Sequence, residues 1–286
     1  MTNLTDAVKN FLEDKATYCA AKTLDNYSDH LERFISSVKM PRYAEELTPG
    51  TIRTYIIGMR EEGIRSVTIQ SYMRSVKVFC RWLQDEGYLE RNIAQGIRLP
   101  RADPKIKQPL TDEEAKAIDS ELPETRDRII FHLMLDAGLR ESEVCNLKWE
   151  DVDLEHDFIK IWNGKYNKNR LVPLCPRLRN WIKFHRSGSA YLLTGKDGNK
   201  LTAESIKQLF QRLKKKTGIP RVHAHLCRHT FATSYIMGGG NLEKLRVMLG
   251  HSDYNVTQIY IRMAAEYEII KYPIYQLDPV FFERGY

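Results

Sequence analysis

Apolar residues recur at helical spacing through almost all of the first hundred residues. Val8, Phe11 and Leu12 line one side of a segment from Leu4 to Tyr18. Tyr27, Leu31, Phe34 and Ile35 do the same in a second segment that Thr23 caps, and Thr48-Pro-Gly opens a third through Thr51, Tyr55 and Met59. The longest runs from Ser66 to Tyr88, with Ile69, Tyr72, Val76, Phe79 and Trp82 along one stripe. This pattern predicts a helical domain over residues 1–100. It breaks between Ile97 and Pro109, where Pro100, Pro104 and Pro109 interrupt a stretch without apolar periodicity, which places an extended linker at 101–109.

A second domain is expected over residues 110–286. Thr111-Asp-Glu-Glu is a capping box that starts a helix. Thr125 to Asp136 follows with Ile129, Ile130, Leu133 and Met134, and ends at Ala137-Gly138; Arg140 then opens a short helix. The alternation Phe158, Lys160, Trp162 and the run Arg170-Leu-Val-Pro predict two short strands joined by a turn at Gly164–Lys168. Residues 176–217 read as helix again, ending in Lys214-Lys-Lys. A helix carrying His225-Leu-Cys-Arg228-His229 is terminated by the Gly238–Gly240 run, since glycine opens left-handed conformations closed to other residues. Asn241 to Met248 forms the next helix, with Leu242, Leu245 and Met248 at core spacing. Gly250 turns the chain and presents His251, and Asp253 caps a helix to Met263 with Ile259 on its apolar side. The fold class is therefore mainly α, with one small antiparallel β-sheet in the second domain. Residues 263–286 are rich in Ile, Tyr, Phe and Pro, too apolar for a plain disordered tag.

Charge sharpens this picture. The chain holds 44 basic and 37 acidic residues, a net +7, and by count 29 basic and 23 acidic residues fall within 105–286, so the excess sits in the second domain. This fits a nucleic-acid partner. In the first domain Arg74, Lys77 and Arg81 share one helical face, with Arg53 and Arg65 nearby. That face suits either solvent or a phosphate backbone. Five dispersed cysteines without a C-x-x-C pair imply reduced thiols, and neither a signal peptide nor a membrane-length apolar run is visible, so a cytoplasmic protein with no membrane partner is expected. No metal-ligand cluster or glycine-rich phosphate loop occurs in the first domain, and neither metal nor other cofactor is expected.

The candidate chemistry lies late in the chain. His225 and Arg228 are three apart and share a helix face, His251 follows, and Tyr260 stands nine residues beyond it. Arginine forks match phosphate oxygens, and a phenolic oxygen can attack a phosphodiester to give a covalent intermediate. Singly, each has a plain reading: Tyr260 is one of fifteen tyrosines, His225 can be a core histidine, His251 a helix cap, and Arg140 can pair with Glu141 or Glu143. Glu143 either bonds back to its turn or orients an arginine. Lys165 and Lys168 suit a solvated hairpin tip equally well. The joint occurrence is what points to phosphoryl transfer.

Together these residues resemble the tyrosine recombinase family, of the integrase and Xer type. The resemblance spans nearly the whole chain. Ala137–Glu143 is similar to the motif A-x-L-R-x-S-E, Gly164–Arg170 to G-K-x-x-K-x-R, and His225–Thr233 to H-x-x-R-H-T-F-A-T; Leu249–Ser252 and Thr257–Tyr260 match L-G-H-S and T-x-x-Y. It implies a SAM-like core-binding domain followed by a catalytic domain that uses Arg140, Lys165, His225, Arg228, His251 and the nucleophile Tyr260, supported by Glu143. Arg53, Arg74, Lys77, Arg81, Lys168 and Arg170 are then expected to contact DNA. The implied reaction cleaves and rejoins duplex DNA through a 3′-phosphotyrosine, in integration, excision or dimer resolution. It implies four protomers at synapsis, with accessory proteins a further candidate partner, and the 263–286 tail a candidate protomer contact. Cys227 stands where the family has leucine, and Tyr166 where glycine often follows the hairpin lysine, for which Lys168 is the substitute. No additional N-terminal arm-binding domain is expected ahead of the helical one, so the resemblance is to the simpler members. A type IB-like topoisomerase and a non-catalytic DNA-binding module are the alternatives.

Overall fold

A computed structural model of the chain describes residues 1–37, 39–101, 108–162, 169–250 and 254–271. The expected residues Lys165, Lys168, His251 and Asp253, and the tail beyond Lys271, lie outside them. The chain divides into two compact units, Met1–Lys105 and Ile106–Tyr286.

The first unit contains helices α1 (Leu4–Ala16), α2 (Ala21–Ile35), α3 (Pro49–Glu61) and α4 (Ser66–Asp85). The apolar stripes meet in one core around Phe11, whose ring makes edge contacts with Tyr27, Phe79 and Trp82 at 5.4, 5.4 and 5.6 Å. Thr48 caps α3 as expected, its side chain accepting from the Thr51 amide at 3.2 Å. Thr23 does not cap α2. The helix starts two residues earlier, and the Ala20 carbonyl takes the Thr23 and Leu24 amides, which places Thr23 inside the first turn.

In the second unit α5 (Asp112–Ser120) begins at the Thr111 capping box, and α6 (Thr125–Leu135) runs through the core with Ile129, Ile130, Phe131, Leu133 and Met134 buried. After it come α7 (Glu141–Asn146) and a three-stranded antiparallel sheet in the order β1 (Val152–Asp153), β2 (Phe158–Ile161), β3 (Arg170–Pro173). Strand β1 was not anticipated, being only two residues long. Ile159 and Ile161 face the core, so the alternation at Phe158, Lys160 and Trp162 marks the outward side; Trp162 is 63% exposed.

Residues 176–217 are not one helical stretch. Helix α8 (Pro176–Phe184) and α9 (Ala203–Thr217) are separated by an irregular segment that buries Leu192, Leu193 and Leu201. The turn formers Ser187-Gly-Ser and Asp197-Gly break the helix, and Tyr191 instead bridges to Lys148 and Thr194 to Lys200. The chain then forms α10 (Ala224–Met237), α11 (Leu242–Leu249) and α12 (Tyr254–Lys271). Helix α10 ends at Gly238, and Asn241 caps α11 by accepting from the Lys244 amide. Leu245 and Leu249 are the buried residues of α11. Ile259 is 53% exposed and does not anchor α12; Thr257, Tyr260, Met263 and Ala264 face inward at helical spacing. Among the described residues no helix is long and apolar enough to cross a membrane.

Candidate active site

The site begins with a turn. Helix α6 stops at Asp136, and Gly138 adopts φ +64°, where a Cβ would lie 2.4 Å from the Phe231 ring. Glycine alone fits both the left-handed backbone and that contact. Arg140 then caps α7: its amide donates to Glu143 Oε2 at 2.8 Å, while its Nη1 donates to Glu143 Oε1 at 2.9 Å. Both readings of Glu143 hold at once, for it closes the helix start and orients an arginine.

Two further guanidinium groups reach the same carboxylate. Arg170 Nη2 donates to Glu143 Oε2 at 2.7 Å, and Arg228 Nη1 lies 3.9 Å from it. Burial alone would raise the Glu143 pKa; the hydrogen bond and charge of Arg170, then Arg140, outweigh it and hold the carboxyl below its usual range. Arg228 is the largest of the fully buried side chains, 2% exposed. Burial and the neighbouring Arg140 lower its pKa to about 10, which still leaves it cationic at neutral pH.

The three arginines also share the end of α11. Arg170 Nε donates to the Met248 carbonyl at 2.7 Å, Arg228 Nη2 to Leu249 at 2.6 Å, and Arg140 Nη2 to Gly250 at 3.2 Å. These successive carbonyls lie at the negative pole of the helix dipole, a favourable place for cations. Arg228 Nη1 donates in addition to the Gly138 carbonyl at 2.6 Å, which ties the first turn to the last. Three guanidinium groups against one carboxylate leave a formal +2, suited to an anion.

Tyr260 is 2% exposed and packs with Ala232, Leu245, Leu249 and Met263. Burial raises its phenol pKa, with Arg228 and then Arg140 pulling against the rise. Its ring stands 5.4 Å from that of His229, which in turn stands 4.3 Å from His225. His225 is exposed on the first turns of α10, and the His229 ring packs against both the His225 ring and the Tyr260 ring. The sequence motifs assign no role to His229, although it shares a helix with His225 four residues earlier.

Arg170, expected to contact DNA, turns inward with a side chain 3% exposed. Period-two alternation in β3 puts it on the same face as the buried Val172, with Leu171 55% exposed between them. In the first unit Arg53, Arg74 and Arg81 are exposed, Lys77 is half-buried and donates to the Ile97 carbonyl, and Arg81 pairs with Asp85 at 2.9 Å.

Gly250 has φ +62°, and a Cβ there would lie 3.1–3.3 Å from the Arg170 guanidinium. Gly250→Ala should destabilise the second unit by about 1–2 kcal/mol, the cost of a left-handed L-residue, and slow DNA cleavage. Calorimetry beside a cleavage assay checks this; an unchanged melting temperature would show that the turn relaxes freely.

An arginine cluster beside a buried phenol, set on a helical unit with a small sheet, is suited to holding an anion such as a phosphate. Residues 108–266 match the phage integrase family. The chain is 30% identical over 276 residues to tyrosine recombinase XerA of Thermococcus onnurineus, covering 92% of this chain and 94% of that protein. Its fold matches the Tn1549 transposon integrase bound to a circular intermediate DNA, with TM-score 0.81 at 18% identity over 95% of this chain and all of that one. It also matches a lambda integrase tetramer bound to a Holliday junction, with TM-score 0.76 at 17% identity over 88% of this chain and 78% of that one. The chain belongs to the phage integrase family and is a tyrosine recombinase, an enzyme that breaks and rejoins DNA strands.

Proposed function

We propose that Tyr260 is the nucleophile of a site-specific recombination reaction on duplex DNA, and that Arg140 and Arg228 clamp the non-bridging oxygens of the scissile phosphate. The observation that carries this is the three-arginine cluster on one carboxylate, a standing positive charge beside the buried phenol. The Tyr260 oxygen bonds to phosphorus, the bond to the 5′ oxygen breaks, and a 3′-phosphotyrosine and a 5′-hydroxyl result. His225 takes the phenol proton as general base, and Lys165 protonates the leaving oxygen; His251 supports the phosphate. A partner strand's 5′-hydroxyl then reverses the step on the phosphotyrosine. With Tyr260 at 2% exposure, attack requires α12 to shift when DNA binds.

The first unit serves as the core DNA-binding domain, with Arg53, Arg74, Lys77 and Arg81 on the backbone. The surface pair of Arg81 with Asp85 is worth only about 0.3–0.5 kcal/mol, so a phosphate can displace it. Four protomers assemble at synapsis in the cytoplasm, with accessory proteins as partners in choosing the site. The test is covalent trapping: the protein is mixed with sheared DNA from its own genomic surroundings, denatured in detergent, and any adduct sequenced. Adducts at a defined sequence support the reading. Relaxation of any supercoiled plasmid, without junctions on paired sites, would replace it with a topoisomerase.

The tail supplies part of the contact between protomers. Met263 and Ala264 are 5% and 4% exposed beside Tyr260, so a cut after Arg262 would damage the site itself. Truncation after Lys271 should leave cleavage of a single site intact while reducing junction formation. Equal junction yield from full-length and truncated protein would remove the tail from this role.

A further inference from the structure

We infer that Arg170 is a positioning residue that fixes the spacing of the two phosphate-clamping arginines, and that it does not bind DNA. The inference rests on the proposed roles of Arg140, Arg228 and Tyr260. Arg170 is the third member of the cluster and the only one of the three that comes from the sheet. Its side chain is 3% exposed, so no phosphate reaches it without the site opening.

What it touches defines its work. One arm of the fork, Nη2, holds Glu143 Oε2 at 2.7 Å, on the oxygen that also accepts the Arg140 amide. The Nε–H holds the Met248 carbonyl at 2.7 Å, one residue before the carbonyl that accepts from Arg228 and two before the one that accepts from Arg140. The guanidinium plane lies against Gly250, where a Cβ would stand 3.1 Å from Nη1. One planar group thus sets the distance between the helix start bearing Arg140 and the turn leading to His251. A lysine, with a single point of charge, cannot hold Glu143 and Met248 together in this way. Nη1 is buried without a hydrogen-bond partner, an unfavourable arrangement that the fold retains along with the other two contacts.

The test compares wild type, Arg170→Lys, Arg170→Met and Tyr260→Phe. Covalent adduct formation is timed at saturating genomic DNA, affinity for the same DNA is measured by gel shift, and hydrogen exchange is followed in the 245–250 segment. Melting curves establish that the variants are folded. Arg170→Lys, which keeps the charge, should slow adduct formation about tenfold or more, with unchanged DNA affinity and faster exchange in that segment; Arg170→Met should slow the adduct and speed the exchange further, its affinity also carrying the loss of one charge. A wild-type adduct rate in Arg170→Lys, or unchanged exchange in both variants, overturns the inference. So does affinity that falls in parallel with rate in Arg170→Lys, which would make Arg170 a phosphate contact. If the wild type forms no adduct, or Tyr260→Phe still does, the site assignment itself has failed; the exchange data then decide separately whether Arg170 holds the turn.

Discussion

Tyr260→Phe should abolish the detergent-resistant protein–DNA adduct while leaving the fold and DNA affinity intact. The two effects separate because they depend on different atoms. The ring accounts for the packing against Ala232, Leu245, Leu249 and Met263, and phenylalanine keeps it. The lost hydroxyl should change stability by only about 0.5–1.5 kcal/mol. The covalent bond needs the oxygen itself, so its removal leaves no residual route. Loss of a stabilising donor such as Arg140 is different in kind: it weakens the charge stabilisation and costs roughly a hundredfold to a thousandfold in rate, with some adduct remaining. An adduct of undiminished yield in Tyr260→Phe would mean that another residue attacks.

Much of this site can be read from the chain because its elements are short and punctuated. Gly138, Gly238 and Gly250 stand where helices end, and the spacing from His225 to Arg228 sets one face of α10. What could not be read was which way the charged groups point. Arg170 looked like a surface arginine because arginine usually is one; the buried Val172 two residues on carried the contrary signal. Ile259 looked like an anchor because it is apolar, yet burying Tyr260 together with Thr257 and Met263 turns Ile259 to solvent. The fork of contacts at the end of α11 joins residues 78, 21 and 110 positions apart, distances over which no local pattern reports.

Glu143→Gln should be the most damaging isosteric change in the second unit, and its effect should depend on pH. The carboxylate faces Arg140, Arg170 and Arg228 with a side chain 10% exposed. Glutamine keeps the shape, but removes the charge and turns an amide N–H₂ toward guanidinium donors or leaves one of them unmatched. Breaking a buried pair of this kind costs on the order of 3 kcal/mol. Because the folded carboxyl is held below its unfolded value of about 4.3, its contribution is fully present above that pH. It is lost as the pH falls through the depressed folded value. Wild type and variant should therefore differ most near neutrality and converge in acid, the other carboxylates cancelling in the difference. DNA affinity should hold or rise, since the cluster goes from +2 to +3, while adduct formation falls because the clamp has lost its common anchor. A stability gap independent of pH would assign Glu143 a packing role in place of an electrostatic one. Cleavage at the wild-type rate would mean that the end of α11 holds the arginines in place without it.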